Sequence, residues 1–312
     1  MAVVSFVIPI FNEEKAVQAF YDELLGALSD ISIQPEIIFI DDGSVDSTWI
    51  ILEKIQLQDD RVKLISLSRN FGHQAALLAG IEKSSGDCVI TMDGDLEHPP
   101  EIIPQLIEKW QQGFEVVNTR RLISGSQLPF FKKVSSAVFY KIFRFLAGLD
   151  LEPGMADFRL LDRRVVIALQ KVEEKALFLR GILQWIGFKQ DIVNYQVGDR
   201  IAGSSKYSWK KMLQLALNGI TSFSTIPLRL ATLLGFVFSL LSFSYLTYAA
   251  YEWLFTDYTA EGWKAVIGLL LFLGGVQLIC IGIIGEYIGR VFLEVKARPS
   301  YIVKIDKGFE NV

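Results

Sequence analysis

The sequence contains few of the residues that build disulfide frameworks or zinc sites. Among its 312 residues there are only two cysteines and two histidines. Cys88 and Cys280 each lie in an apolar run, which is typical of small buried side chains and not of a disulfide or metal-ligand spacing. With His73 and His98 as the only imidazoles, we expect neither a histidine-based zinc site nor a Ser-His-Asp triad.

The chain also lacks an excess of positive charge and a recognisable signal peptide. Its formal net charge is −4, with 31 basic and 35 acidic residues, which argues against a nucleic-acid-binding surface. No basic residue precedes the first apolar run, Val3–Ile10, and this run is short. We interpret it as a β-strand, so the soluble part of the chain is expected to stay in the cytosol.

Two long stretches, residues 230–251 and 265–285, contain no charged side chain. Each is long enough to cross the hydrocarbon core of a membrane as a helix. The charged residues between them are mainly acidic, whereas the flanking charges are mainly basic: Lys206, Lys210, Lys211 and Arg229 before, and Arg290, Lys296, Arg298 and Lys304 after. By the positive-inside rule, both ends of this predicted hairpin are cytoplasmic.

Apolar runs alternate with amphipathic segments over the first 118 residues. Continuous apolar runs are typical of strands buried on both faces of a parallel sheet. The predicted strands cover residues 3–10, 36–40, 62–67, 87–92 and 115–118, and the predicted helices lie at 13–29, from 46, 72–83 and 99–111. This order predicts βαβ units and a mostly parallel sheet.

Pairs of aspartates follow two of the predicted strands. Asp41 and Asp42 end one strand, and Asp93 and Asp95 follow another. Ligands of such sheets bind beyond the carboxyl ends of the strands. Two carboxylates one residue apart can share a hard divalent cation with phosphate oxygens, and that cation would neutralise a diphosphate leaving group. The pattern predicts a metal and diphosphate site at this edge.

Two segments outside these stretches combine aromatic and basic residues. In residues 128–149, large aromatic side chains alternate with lysine and arginine at helical spacing, and residues 209–223 show a similar pattern. Such segments are typical of helices that lie in a membrane interface. An ordinary core helix with a solvated basic edge remains the alternative for the first.

Three motifs together resemble the signature of family 2 glycosyltransferases with the GT-A fold: VIPIFNEE at 7–14, DDGSVDST at 41–48 and MDGDLEHPP at 92–100. Residues 69–74, 156–162 and 203–207 extend the resemblance. Within the family, the chain is most similar to polyprenyl-phosphate glycosyltransferases, the group of dolichyl-phosphate mannose synthases and bacterial bactoprenyl glucosyltransferases. The two predicted spans resemble the latter branch.

The resemblance implies an α/β fold: a GT-A, Rossmann-like catalytic domain with a mostly parallel sheet, interfacial amphipathic helices and two C-terminal transmembrane helices. The expected divisions are a nucleotide-sugar-binding core at 1–127, an acceptor-side region at 128–226, the two transmembrane helices at 227–290 and a cytoplasmic tail at 291–312. A homo-oligomer, plausibly a tetramer, in the bacterial plasma membrane is expected by the same resemblance.

The resemblance also implies a donor site and a metal site. The donor-binding residues would be Pro9, Phe11, Glu13, Asp41, Asp42, Asp93, Gly94 and Arg120. Mg²⁺ or Mn²⁺ would be held by Asp93 and Asp95, with Glu97 as an additional candidate ligand. The family usually has alanine where Gly94 stands and glutamine where Glu97 stands, so the role of Glu97 is left open.

Asp157 and Asp95 are the catalytic candidates that the resemblance nominates. A phosphate monoester has a second pKa near 6, so an acceptor phosphate needs little help from a general base. Asp157 is therefore a base, a residue that orients the acceptor, a residue that contacts the metal, or a helix cap beside Arg159. The candidates for gripping the acceptor phosphate are Arg200, Ser205, Lys206 and Lys132. For the lysines, attraction to anionic lipid headgroups is the alternative.

The implied reaction transfers a hexose, glucose from UDP-glucose, to undecaprenyl phosphate with inversion. Alternative donors are UDP-N-acetylhexosamine, modified UDP-sugars and GDP-mannose. A non-catalytic membrane scaffold is the alternative from another class. A processive polysaccharide synthase is disfavoured, because Gln184 and Trp185 stand without the Gln-x-x-Arg-Trp pattern of such enzymes and only two spans are predicted.

Overall fold

The computed structural model describes residues 1–122, 154–172, 174, 178–196, 221, 224–255 and 263–309. Their strands form one eight-stranded sheet in the order β7-β5-β6-β4-β1-β2-β3-β8. The strands are β1 (Val3–Ile10), β2 (Gln34–Asp41), β3 (Val62–Leu67), β4 (Cys88–Thr91), β5 (Val116–Leu122), β6 (Met155–Asp162), β7 (Gln190–Gln196) and β8 (Val303–Lys307). Parallel pairing joins β4, β1, β2 and β3 in the centre.

Helices cover both faces of this sheet. They are α1 (Val17–Leu28), α2 (Thr48–Gln58), α3 (His73–Lys83), α4 (Ile103–Gln111), α5 (Arg163–Gln170), α6 (Leu179–Ile186), α7 (Ile226–Phe255) and α8 (Trp263–Val295). Alternate β1 residues point to opposite faces. Phe6 and Ile8 therefore pack with α1, α2 and α4, whereas Val7 packs with α3, α5 and α6. The predicted α/β fold with a mostly parallel central sheet is confirmed.

Some element bounds differ from the prediction. Helix α1 begins at Val17 and not at residue 13, because the Glu13 carbonyl accepts hydrogen bonds from the backbone N–H groups of Ala16 and Val17 in a turn. Strands β6 and β7 were not predicted. They pair with β4 and β5, so the sheet includes strands from beyond residue 127.

The end of the chain returns to the sheet. Strand β8 pairs antiparallel with β3, and Val303 lies opposite Leu67 at the carboxyl end of that strand. Further contacts hold the segment, since Lys307 pairs with Glu53 at 2.7 Å and the Tyr301 hydroxyl donates to Glu82. Part of the region predicted as a tail therefore covers one edge of the sheet, an arrangement that blocks unwanted strand pairing.

Helices α7 and α8 carry the two apolar stretches of the sequence. Residues Ile226–Tyr245 and Leu269–Val295 have mean hydropathies of 1.8 and 2.1, and only 6% and 0% of these windows are buried. A core helix of a soluble protein would be buried. The helices contact each other: the rings of Phe238 and Phe272 pack edge to face, with their centroids 5.5 Å apart. Both are long and apolar enough to cross a membrane, as predicted.

Candidate active site

The loops that follow β1 and β2 are joined by hydrogen bonds. Asn12, whose φ is +54°, donates its backbone N–H to the Ser44 hydroxyl and accepts from the Val45 N–H, both at 2.9 Å. The Glu13 N–H donates to the Thr48 hydroxyl at 3.0 Å. These bonds fix the first two sequence motifs against each other. Pro9 is buried at the end of β1, and Phe11 beside it has 44% of its surface exposed.

Asp41 and Asp42 are both buried at the end of β2 but make different contacts. Asp41 accepts hydrogen bonds from the Ser44 N–H at 3.0 Å and the Ser66 hydroxyl at 3.2 Å. Asp42 accepts from the N–H groups of Phe71 and Gly72 at 2.7 and 2.9 Å. Burial raises the pKa of Asp42. Its two oxygens therefore fix the loop after β3.

Gly43 lies where this loop approaches the β2 end most closely. Its φ is +72°, and a Cβ atom at this position would lie 2.6 Å from the Arg69 carbonyl carbon. A side chain is excluded both by the left-handed backbone conformation and by the contact. The motif glycine thus allows the third loop to pack onto the second.

The loop after β4 presents the predicted metal ligands. The Asp93 N–H donates to His98 Nδ1 at 3.0 Å, and Asp95 accepts from the Glu97 N–H at 3.0 Å. Gly94 is buried, and a Cβ there would meet the end of the Ile10 side chain. Partial burial and the neighbouring carboxylates of Asp93 and Glu97 raise the pKa of Asp95. A bound divalent cation would relieve this repulsion, so the oxygen ligands fit a hard metal.

The protein offers such a cation an incomplete set of ligands. Among the described residues, no group of three or more histidine, cysteine, aspartate or glutamate side chains is arranged to hold a metal ion. One Glu97 oxygen accepts a hydrogen bond from Arg121 Nη2 at 2.9 Å. The pair Asp93 and Asp95 therefore suits Mg²⁺ or Mn²⁺ only if phosphate and water complete the shell, which is how Mg²⁺ is commonly bound.

His73 joins this loop to β6. Its Nε2 lies 3.5 Å from an oxygen of Asp93 and 3.5 Å from an oxygen of Asp157. Although partial burial favours the neutral imidazole, the carboxylates of Asp157 and Asp93 raise the pKa of His73. The other histidine, His98, is buried and stacks on Phe158 with ring centroids 5.2 Å apart.

Asp157 lies within β6 and is not a helix cap. One of its oxygens accepts from Arg159 Nη2 at 2.7 Å and from Arg180 Nε at 3.0 Å, and the other accepts from Arg180 Nη2 at 3.1 Å and Gln74 Nε2 at 3.3 Å. Although burial opposes ionisation, Arg180, His73 and Arg159 hold the pKa of Asp157 well below its usual range. The carboxylate is a fixed anion.

Arg180, at the start of α6, is a site residue that sequence reasoning missed. Arg180 is 23 residues from Asp157 in sequence, and their contact depends on how α6 packs beside β6. No local pattern signals such a pair. Gln74 was also assigned no role, although it lies in a motif, and it contacts both Asp157 and the Leu179 N–H at the start of the same helix.

The remaining predicted residues lie elsewhere or outside the described residues. Arg120 lies on β5, where its Nε donates to Asn194 Oδ1 of β7 at 2.8 Å. The acceptor candidates lie outside the described residues: Arg200, Ser205, Lys206 and Lys132. The structure therefore brings together Asp93, Asp95, Asp157 and His73, and adds Arg180 to them.

Comparisons with known proteins match both the part of the chain that forms most of the sheet and the part that forms the apolar helices α7 and α8. The family model described as glycosyl transferase family 2 matches residues 5–169, and a second one, described as the GtrB C-terminal hairpin, matches residues 226–291. An uncharacterized glycosyltransferase of Bacillus subtilis, YkcC, is 42% identical over 307 residues, covering 98% of this chain and 95% of that protein.

A second relative has a described activity. The SfII prophage-derived bactoprenol glucosyl transferase of Shigella flexneri is 42% identical over 301 residues, covering 96% of this chain and 97% of that protein. Among solved structures, the mannosyl-3-phosphoglycerate synthase of Rubrobacter xylanophilus superposes with a TM-score of 0.50 at 14% identity, covering 70% and 71% of the two chains. This last likeness concerns the fold alone.

Proposed function

The chain belongs to glycosyl transferase family 2, and on this premise we propose that it transfers glucose from UDP-glucose to a polyprenyl phosphate, undecaprenyl phosphate, with inversion. One observation carries the proposal. The similarity to the Shigella bactoprenol glucosyl transferase runs through the sheet with its carboxylate site and through the apolar hairpin of α7 and α8. An enzyme whose acceptor is soluble would not need such an apolar hairpin.

In this proposal, Asp93 and Asp95 hold Mg²⁺ or Mn²⁺ together with the donor diphosphate and water. When bound, the cation neutralises charge on the leaving diphosphate. The raised pKa of Asp95 supports this role, because the unbound loop holds its negative charges at a cost. Glu97 stays an additional candidate ligand, although one of its oxygens is engaged by Arg121.

The donor nucleoside is proposed to lie against the joined loops after β1 and β2. Phe11 offers exposed ring surface, with Pro9 and Glu13 beside it. A carboxylate has about four acceptor positions, and Asp41 uses two within the protein, so it can also accept from a base. Asp42 acts by fixing the loop at Phe71 and Gly72. Arg120 is proposed to meet donor phosphate, and Gly94 lets the loop that carries Asp93 and Asp95 pack directly against the Ile10 side chain.

The acceptor phosphate is proposed to attack the anomeric carbon directly. Since it is largely ionised at pH 7, a base is not required. Asp157 is a poor base, because its pKa is lowered and its oxygens accept from two arginines. We therefore assign Asp157 a positioning role. Positioning and charge stabilisation then supply the rate enhancement, with Asp95 acting through the cation. Arg200, Ser205, Lys206 and Lys132 remain the proposed grip on the acceptor.

Helices α7 and α8 are proposed to span the bacterial plasma membrane, with both termini and the catalytic domain cytoplasmic. The basic flanks of the hairpin support this orientation. Strand β8 supports it independently, because it follows α8 and yet pairs with β3, which precedes α7. The hairpin must then return to the side from which it left. The divisions at residues 127, 226 and 290 and the homo-oligomer stay predictions.

The test uses purified full-length protein, polyprenyl phosphate, Mg²⁺ or Mn²⁺, and a panel of UDP- and GDP-sugars. Mass spectrometry would detect a glycosylated lipid phosphate. We expect a product from UDP-glucose that is lost in Asp95→Asn. A product from another sugar nucleotide would correct the donor, whereas no lipid product from any donor, with folded protein, would contradict the proposal.

A further inference from the structure

His98 ends the loop after β4 that carries Asp93 and Asp95, and its side chain is buried. Only 2% of its surface is exposed. The imidazole stacks on the ring of Phe158 of β6, with centroids 5.2 Å apart, and meets the ring of Tyr195 of β7 edge to face at 6.2 Å. Strands β6 and β7 thus hold one end of this loop in an aromatic pocket.

Both nitrogens of this imidazole lie near Asp93. Nδ1 accepts a hydrogen bond from the Asp93 backbone N–H at 3.0 Å, and Nε2 lies 3.7 Å from Oδ2 of the same residue. An imidazole nitrogen that accepts a hydrogen bond carries no proton, so the proton of the ring is on the other nitrogen. His98 therefore accepts from the main chain of Asp93 and has its protonated nitrogen close to the Asp93 carboxylate.

The loop between Asp93 and His98 has a conformation that needs such a restraint. The φ of Leu96 is +65°, a left-handed conformation that costs a residue with a side chain about 1–2 kcal/mol. The Glu97 N–H turns back to an oxygen of Asp95 at 3.0 Å. Because the hydrogen bond between His98 and the Asp93 N–H closes this loop across its base, it stabilises the folded form of the loop.

We propose that His98 is a positioning residue of the metal site, which holds Asp93 so that its carboxylate is ready to bind a divalent cation. Groups behind a metal ligand commonly fix the orientation of that ligand through hydrogen bonds. His98 is not itself a ligand in this proposal, because Nδ1 accepts from Asp93 and Nε2 carries the proton. The inference rests on the proposed function, which makes Asp93 and Asp95 the metal ligands.

The experiment compares three substitutions in the full-length protein, each of which keeps a different part of the imidazole. His98→Asn places an amide oxygen close to the position of Nδ1, so it keeps an acceptor for the Asp93 N–H. His98→Gln places an amide nitrogen close to the position of Nε2 and loses that acceptor. His98→Phe keeps an aromatic ring for stacking and loses both nitrogens.

The matched control is Trp110→Phe. Trp110 Nε1 donates to Asp162 at 2.7 Å, and Asp162 pairs with Cys88, the first residue of β4, whereas the metal loop follows the last. The control therefore removes one hydrogen bond of an aromatic side chain at the opposite end of that strand. Titration calorimetry in detergent would measure the Kd of Mn²⁺ with UDP present. Melting temperatures without metal and the Mn²⁺ dependence of turnover complete the set.

We expect His98→Phe and His98→Gln to weaken Mn²⁺ binding by about 10- to 100-fold, the usual effect of losing a group that orients a metal ligand. The Mn²⁺ concentration for half-maximal turnover should rise with it. His98→Asn should recover most of the affinity, although it loses the stacking and melts at a lower temperature. Trp110→Phe should lower the melting temperature alone. If His98→Phe does not fold, the comparison of His98→Asn with His98→Gln still tests the inference.

The inference is overturned if the His98 variants bind Mn²⁺ as tightly as Trp110→Phe does, because His98 would then stabilise only the fold. It is also overturned if His98→Asn binds Mn²⁺ no better than His98→Gln, or if the wild-type protein with UDP binds no Mn²⁺. The binding measurements need no turnover. A wild-type protein that binds Mn²⁺ but makes no lipid product would therefore contradict the proposed function and leave the result for His98 intact.

Discussion

The carboxylates at the carboxyl edge of the sheet have two opposite surroundings. After β4, partial burial and the neighbouring carboxylates of Asp93 and Glu97 raise the pKa of Asp95. On β6, Asp157 contacts two guanidinium groups that hold its pKa well below the usual range, although burial opposes this. One place brings carboxylates together, and the other sets a carboxylate against guanidinium groups.

This difference shows how one residue type takes two roles within one cleft. The neighbours of a carboxylate, and not the carboxylate itself, decide whether it attracts a cation or is already neutralised. Asp93 and Asp95 suit a metal, whereas Asp157 suits the positioning of basic side chains. Each variant below changes Asp95, Asp157 or a neighbour of one of them.

The largest effect is expected for Asp95→Asn. Turnover should fall by about 1,000-fold, because charge stabilisation of the leaving diphosphate is lost. A raised pKa in the folded state means that ionised Asp95 costs stability at neutral pH without metal. The metal-free variant should therefore melt no lower than wild type, and Mn²⁺ should no longer raise its melting temperature.

Glu97→Gln is the matched control for this variant. It removes a charge from the same loop but restores the residue that the family resemblance leads us to expect. Turnover should stay within about 10-fold of wild type, because the glutamine amide oxygen can still accept the hydrogen bond from Arg121. A loss as large as that of Asp95→Asn would make Glu97 a metal ligand.

A large loss of stability is expected for Asp157→Asn. It removes the carboxylate charge that Arg159 and Arg180 both contact, and breaking a buried ion pair in this way costs about 3 kcal/mol. Because the pKa of Asp157 is lowered on folding, its contribution is present above the ordinary carboxyl pKa and is lost as pH falls through the lowered value. Chemical denaturation should show a difference from wild type that narrows below about pH 4.

Arg159→Met should destabilise the protein less, by about 2 kcal/mol. Asp157 keeps Arg180, Gln74 and His73 as partners, so its charge stays compensated, although the Ala156 carbonyl loses its hydrogen bond from Arg159. Denaturation of both variants under the same conditions gives the comparison. Equal losses would mean that the two arginines do not share the carboxylate as described.

The smallest effect is expected for His73→Gln, which alters the link between the two surroundings. The two contacts of His73 are long, at 3.5 Å each, so the free energy of unfolding should change by less than about 1 kcal/mol. Turnover should fall by about 10-fold through poorer positioning. An unchanged rate would show that the metal carboxylates and Asp157 act independently.

The sequence predicted the central strands because they are buried on both faces. The bounds of Val3–Ile10 and Val62–Leu67 agree with the structure, since most residues of each run are apolar and all but one are buried. Strand β8 could not be predicted in this way. Its five residues are almost all exposed on the edge of the sheet, and its partner β3 lies far away in the sequence, so no periodicity marks it.

Site residues, like strands, could be predicted where neighbouring residues form a motif, and could not be predicted where they depend on contacts between distant parts of the sequence. Asp93 and Asp95 stand one residue apart in a single motif, so they could be proposed as metal ligands from the sequence. Asp42 stays a predicted donor-binding residue, and its hydrogen bonds from the N–H groups of Phe71 and Gly72 were not predicted. Arg180 was missed, because its meeting with Asp157 results from the packing of a helix beside a strand that was itself not predicted.

The short connection from α8 to β8 limits how far the sheet can lie from the end of α8. Helix α8 ends at Val295 and β8 begins at Val303, a connection that can extend no farther than about 30 Å. Val303 joins the sheet beside Leu67, at the edge that bears the carboxylates. The strand ends that bear the carboxylates therefore stay within a short distance of the end of a proposed membrane helix. The proposed reaction with a lipid phosphate would therefore take place close to the membrane that holds the lipid.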